Sequence, residues 1–182
     1  MMQLCGTAIN LRLLEQQDLP AFAQYRNREE IARYHHWDGY TLDDANELFR
    51  TMGLRAFGAP GHWFQLAIIV RDTGALAGDL ALHFLDAQQT EIGFTLAPGW
   101  QGRGLAQEAL QLMLAYLFDE LKQHRVISIT DCRNSNAVRL LERLHFRREA
   151  HLVENILFKG DWCSEYQYAM LAREWREQRP TV

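Results

Sequence analysis

The residues whose types and spacing point most directly to chemistry are Gln101-Gly102-Arg103-Gly104. They follow a strand pattern, Thr90 to Leu96, that ends at Ala97-Pro98-Gly99, and they open straight into an amphipathic stretch starting at Leu105. Successive backbone N–H groups at a tight turn, continued by the unpaired donors of a first helical turn, make a site for a phosphate group. A phosphorylated ligand is therefore expected here. Two familiar nucleotide motifs fit poorly. A dinucleotide fingerprint counted from Gly102 and Gly104 would put its third small residue where Gln107 stands, and a P-loop needs a lysine where Leu105 follows Gly104.

Other reactive side chains form no comparable pattern. His35-His36 beside Trp37 invites a metal reading, but no partnering ligand set stands at useful spacing, so no metal is expected. Cys5, Cys132 and Cys163 are odd in number, widely spaced and without a CxxC, which supports neither a disulfide framework nor a zinc knuckle. They read as small packed residues in a reducing compartment.

The elements that must position the glycine turn follow from periodicity. Ala8 to Leu14 alternates as a first strand, and Asp18 caps a helix that runs to about Arg26 with Pro20 in its first turn. After the aromatic and histidine loop Tyr34 to Tyr40, a capping box over Thr41 to Asp44 starts a second helix that fails by Gly58-Ala59-Pro60-Gly61. Trp63 to Val70, Leu76 to Leu85 and Thr90 to Leu96 form an antiparallel meander, with Gly78 marking a bulge or a close backbone approach. The meander excludes a βαβ unit before the glycine turn, which removes the Rossmann reading. The helix after the turn runs to about Leu121. Val126 to Thr130 is then a strand, and Asn134 or Ser135 caps a helix lined by Val138, Leu141 and Leu144. Two last strands lie near Arg148 to Phe158 and Glu165 to Leu171. Helices on a mixed, mostly antiparallel sheet make an α/β (α+β) domain.

With 182 residues, nearly half of them hydrophobic, the chain is read as a single domain spanning 1–182. Its formal charge of -4 argues against a nucleic-acid partner. No apolar run approaches the length of about 20 residues that a membrane span requires, so no membrane partner is expected. The N-terminus shows no basic segment followed by an apolar run, so a cytoplasmic protein without a signal peptide is expected.

The whole pattern resembles the GNAT acyl-CoA N-acyltransferases, and within them the RimJ and RimL type that acetylates protein N-termini in bacteria. The family signature Q/R-x-x-G-x-G/A is met by Gln101-Gly102-Arg103-Gly104-Leu105-Ala106. Around it stand Glu91-Ile92-Gly93-Phe94, Glu108-Ala109-Leu110, Asn134-Ser135-Asn136-Ala137 and Leu141-Glu142-Arg143-Leu144-His145-Phe146. His145 departs from the family's usual glycine before phenylalanine and is read as a surface or capping change.

The resemblance implies a seven-stranded sheet with helices on both faces, and acetyl-CoA held between the splayed fourth and fifth strands. Phe94, Thr95 and Leu96 would pair with the pantetheine arm, while Gln101, Gly102, Arg103, Gly104, Leu105 and Ala106 would hold the pyrophosphate, with Asn134 and Ala137 near the cofactor arm. Asn134 serves equally as a plain helix cap. Glu91 is the implied base, acting through a water on an attacking primary amine, with Glu154 and Glu165 in reserve. No acid stands out among Ser135, Tyr116, Tyr166 and Tyr168. His36, Trp37 and Trp63 are candidates for the acceptor's rim. The acceptor expected is the N-terminal amine of a protein such as a ribosomal protein. Alternatives are a small-molecule amine (aminoglycoside, polyamine or amino-acid-like) or an acyl-CoA-binding module without turnover. Exposed final strands leave room for a homodimer.

Overall fold

The computed structural model describes residues 2–35, 37 and 39–178. Strands β1 (Gln3–Cys5) and β2 (Ile9–Leu13) lead into helices α1 (Leu19–Arg26), α2 (Glu29–Ala32) and α3 (Leu42–Met52). The meander follows as β3 (His62–Val70), β4 (Leu76–Phe84) and β5 (Gln89–Leu96). Then come α4 (Leu105–Ala115), β6 (Arg125–Asp131), α5 (Ser135–Arg143), β7 (Arg147–Phe158), β8 (Asp161–Leu171) and α6 (Ala172–Glu177). The sheet order is β1-β2-β3-β4-β5-β6-β8-β7. Every ladder is antiparallel except β5 with β6.

The sheet has eight strands rather than the expected seven. The extra one, β1, pairs Gln3 with Arg12 and Cys5 with Asn10 ahead of the first expected strand. Its three residues carry too little alternation to announce themselves. Glu108 of α4 fixes this hairpin by accepting the Thr7 and Ala8 N–H groups, the latter at 3.0 Å.

Alternation along the strands makes two cores. Phe64, Leu66 and Ile68 of β3 face one side with Leu80 and Leu82 of β4 and Ile92 of β5, where Leu110, Met113 and Leu114 of α4, Leu141 of α5 and Trp175 of α6 cover them. Ala67 of β3 points the other way, against Leu19, Phe22 and Tyr25 of α1 and Ala45 of α3. Each fully buried Leu, Ile or Phe side chain is worth about 1.5–3 kcal/mol relative to exposure. Between these layers sits a buried ion pair. Arg26 of α1 donates to Asp79 of β4 at 3.0 Å, and Tyr25 and Gln65 donate to the same carboxylate. It docks α1 onto the middle of the sheet.

Local chemistry explains some helix ends and not others. Thr41 Oγ1 accepts the Asp44 N–H at 3.2 Å while the Asp44 carboxylate accepts the Thr41 N–H at 2.7 Å, the expected capping box. Asp18 behaves differently from its expected role as the α1 cap. Its carboxylate turns back to the Glu15 N–H and to the Arg12 guanidinium, at 2.8 Å and 2.6 Å, and makes no side-chain bond to α1. The opposite charge on β2 outcompetes the helix end. His145 closes α5 with φ +62, a left-handed conformation that glycine adopts without cost. The last strand starts at Asp161, earlier than expected, because β7 and β8 form one long hairpin.

Candidate active site

β5 and β6 run together for three residue pairs, Gln89 with Arg125, Thr90 with Val126 and Glu91 with Ile127. Beyond that they part, and Ser128 Oγ donates to the Ile92 carbonyl at 2.8 Å in the throat of the opening. The Ala97 N–H bonds to Ala77 on the β4 side. Backbone groups alternate sides along a strand, so Phe94 and Leu96 turn their main-chain groups into the opening. Gln101 Nε2 donates to the Leu96 carbonyl at 3.1 Å and folds the glycine turn back onto the strand end.

The opening continues into a cleft of about 440 Å³. Phe94, Thr95, Leu96, Gln101, Gly102, Gly104 and Ala106 line one side of it, and Asn134 and Ala137 of the α5 start line the other. Gly102 and Gly104 have φ of +75 and +76, and a Cβ on either would meet no protein atom within 4 Å. Backbone handedness, not crowding, demands glycine here, and the space beside each is left for a ligand. The first intrahelical bond of α4 runs from the Glu108 N–H to the Gly104 carbonyl at 3.1 Å. The N–H groups of Leu105, Ala106 and Gln107 precede it and have no acceptor within the helix. Together with the helix dipole they favour an anion.

Two members of the signature lie apart from the cleft. Arg103 places its guanidinium over the Trp100 ring, 4.9 Å from the centroid, and the Leu105 side chain is buried in the core. Leu105 has only its main chain to offer. Asn134 does cap α5, its Oδ1 accepting the Ala137 N–H at 3.2 Å, and it lines the cleft as well.

Glu91 is the last β5 residue paired with β6, and it lines neither cleft found on the surface. Its neighbour across the β4 ladder is His83, whose Nδ1 lies 3.7 Å from Glu91 Oε2. Trp63, the β3 residue opposite His83, stacks on that imidazole with ring centroids 4.7 Å apart. Trp63, His83 and Glu91 thus form one line across three strands. Burial raises the Glu91 pKa from its ordinary value, the nearby charge of Glu165 adds to this, and His83 opposes it. Such a carboxyl is suited to accepting a proton from an amine or a water.

Trp63 also borders a second, open trough of about 540 Å³ along α3, with Trp37, Tyr40, Asp44, Glu47 and Arg55. The expected rim loop is therefore divided. Tyr34 and His35 belong to the glycine-turn cleft, Trp37 and Tyr40 to the trough, and His36 lies outside the described residues. Of the acid candidates, Tyr168 is engaged by Glu142 and Arg148, Arg148 covers Tyr166, and neither these nor Tyr116 and Ser135 line a cleft. Among the described residues no three His, Cys, Asp or Glu side chains converge as a metal site would need. The sequence reading missed Gln107, Arg139 and Arg143 on the cleft walls. The two arginines stand four apart and share a helix face, but nothing local says which face meets the cleft.

Comparison with known proteins decides the family. The model described as the acetyltransferase (GNAT) domain matches residues 8–147. The chain belongs to the GNAT acetyltransferases. It is an N-acetyltransferase of this type, and GNAT enzymes take their acetyl group from acetyl-CoA. Among curated relatives it is similar to the N-acetyltransferase YnaD of Bacillus subtilis, itself named as uncharacterized, with 29% identity over 91% of this chain and 94% of that protein. Among solved structures a GNAT-family acetyltransferase from Bacillus anthracis superposes with a TM-score of 0.85, 26% identity and coverage of 95% of this chain and 100% of that one. The spermidine N-acetyltransferase of Vibrio cholerae, solved with CoA and spermine, gives 0.83 at 23% identity over 94% and 99% of the two chains. At that identity it shows the GNAT fold alone.

Proposed function

We propose that this GNAT enzyme acetylates the N-terminal amine of a protein chain, with Glu91 as the base. The observation that carries the acetyl-CoA part is the juxtaposition of splayed strand and glycine turn. Main-chain groups of Phe94 and the Leu96 N–H, the Leu96 carbonyl being taken by Gln101, face the same cleft as the unpaired donors at the start of α4. An extended amide arm ending in a pyrophosphate matches that order of groups. Acetyl-CoA supplies an activated thioester, whose carbonyl carbon forms the new C–N bond as the C–S bond breaks and the thiol departs.

The protein's own task is to bring a neutral amine to that carbon. Glu91, at the fork of the strands, takes the amine's proton through a water. His83 on its flank holds the carboxylate side chain and tempers the effect of its burial.

For the acceptor, the charge state of the trough supports a peptide over a polycation. Asp44 is used by the Thr41 N–H, Glu47 is bound by Arg50 at 2.7 and 2.9 Å, and Arg55 adds a positive charge to the same lining. Little uncompensated negative charge remains for a polyamine. The half-buried rings of Trp37 and Tyr40 and the exposed ring of Trp63 fit side chains near a chain end, which carries one ammonium group.

Thiol release from acetyl-CoA tests the reading, with peptides beginning Ser, Ala or Met beside spermidine and aminoglycosides. Turnover is expected with at least one peptide and to exceed that with spermidine. Robust acetylation of a small amine with every peptide inert overturns the acceptor assignment. Binding of acetyl-CoA without turnover on the whole panel points to a module that binds without catalysis.

A further inference from the structure

The glycine-turn cleft has a second wall, made by α5, and that wall is cationic. Arg139 and Arg143 stand one turn apart on α5 and both line the cleft, across from Gly102, Gly104 and Gln107. Both are exposed, and among the described residues neither makes an ion pair. Their neighbours differ. Arg133 is bound to Asp131 at 2.7 Å, Arg147 to Glu149 at 2.9 Å and Arg148 to Glu142 at 2.7 Å. The acidic side chain on the cleft lining, Glu30, is drawn to Arg28 at 3.1 Å. A cleft with backbone donors on one wall and two uncommitted guanidinium groups on the other is built for more than one phosphoryl group.

CoA carries two separate phosphoryl sites, the pyrophosphate and the phosphomonoester on the adenosine 3′ position. The pyrophosphate is satisfied by N–H donors at the start of α4. The monoester is nearly dianionic at neutral pH and calls for full charges rather than dipoles. We propose that Arg139 and Arg143 form the subsite for the 3′-phosphate of CoA and so make this enzyme select CoA over donors that lack it. This rests on acetyl-CoA as the donor in the proposed function.

Calorimetric binding of CoA and of dephospho-CoA, which lacks only the 3′-phosphate, tests it in wild type, in R139A/R143A and in R139K/R143K. Wild type is expected to bind CoA about tenfold or more tightly than dephospho-CoA, with a preference that declines as salt rises. R139A/R143A should weaken CoA binding to about the dephospho-CoA level while leaving dephospho-CoA unchanged, and R139K/R143K should restore part of the preference. Equal wild-type affinity for the two compounds overturns the proposal. So does an equal loss for both in R139A/R143A, which would place the arginines on the pyrophosphate. Both outcomes leave the donor assignment standing, whereas wild type that binds neither compound defeats that assignment together with the proposal.

Discussion

Glu91 Oε2 faces His83 Nδ1 at 3.7 Å across the β4–β5 ladder, and burial outweighs the histidine in setting the carboxyl's proton affinity. A carboxyl whose pKa is higher in the folded than in the unfolded chain contributes stability that is full below the unfolded value of about 4.3. That contribution is lost as pH rises through the folded value, so at neutral pH the ionised Glu91 is a cost to the fold. Glu91→Gln should therefore melt higher than wild type at neutral pH while kcat falls about a hundredfold or more. His83→Gln removes a group that lowers the Glu91 pKa, so the acidic limb of its kcat/KM profile should move to higher pH. Of the two titratable side chains acting on Glu91, Glu165 raises its pKa and His83 lowers it. Wild-type kcat in Glu91→Gln would remove the residue from the mechanism.

The glycine turn offers a cleaner separation of folding from binding. A Cβ at Gly102 or Gly104 meets no protein atom, yet each φ lies near +75. Gly104→Ala should cost about 1–2 kcal/mol of stability from left-handed strain alone. Its Cβ occupies space beside the α4 donors, so the KM for acetyl-CoA should rise about tenfold or more while kcat at saturation changes less. Thermal melting and steady-state kinetics on the same preparation check both. A KM unchanged within error would move the phosphate away from this turn.

What could be read from the sequence was local. The meander, the Thr41 capping box and the glycine turn from Gln101 to Gly104 each depend on residues within a few positions of one another, and the structure keeps each, adding the left-handed φ of Gly102 and Gly104. Distant partners altered the rest. Asp18 was drawn from α1 by Arg12 on a strand, and the line Trp63–His83–Glu91 exists only through the register of three strands. The loop from Tyr34 to Tyr40 serves two clefts because one end of it reaches α5 and the other reaches α3. Arg139 and Arg143 look like ordinary solvated helix charges until α5 is seen to wall the cleft.

His145 tests a position where this chain departs from the glycine common in its family. Its φ of +62 at the end of α5 places a side chain in the left-handed region. The conformation costs a residue with a Cβ about 1–2 kcal/mol, partly offset because glycine also gains freedom in the unfolded chain. His145→Gly should therefore stabilise by about 1 kcal/mol and raise Tm by about 2–4 °C. The residue lines neither cleft, so kcat and KM should not change. Destabilisation would mean that the imidazole makes a contact worth more than the backbone strain.

Gly78 is the converse case, a glycine required by crowding where no left-handed φ is involved. A Cβ there would stand 2.1 Å from the Thr95 carbonyl oxygen and 2.9 Å from the Leu96 Cα, both backbone atoms of β5. Backbone cannot swing aside as a side-chain tip does, so Gly78→Ala must push β4 and β5 apart at the pair Gly78–Leu96. Overpacking of this kind costs about 1–3 kcal/mol. The displaced segment is the one that turns Phe94 and Leu96 toward the cleft, so the damage should reach function. Gly78→Ala should lower Tm and also weaken CoA binding measured well below its own melting temperature. Gly78→Ser, with similar crowding, should do the same. Full CoA affinity in a folded Gly78→Ala protein would show that the Phe94–Leu96 backbone is not what holds the pantetheine arm.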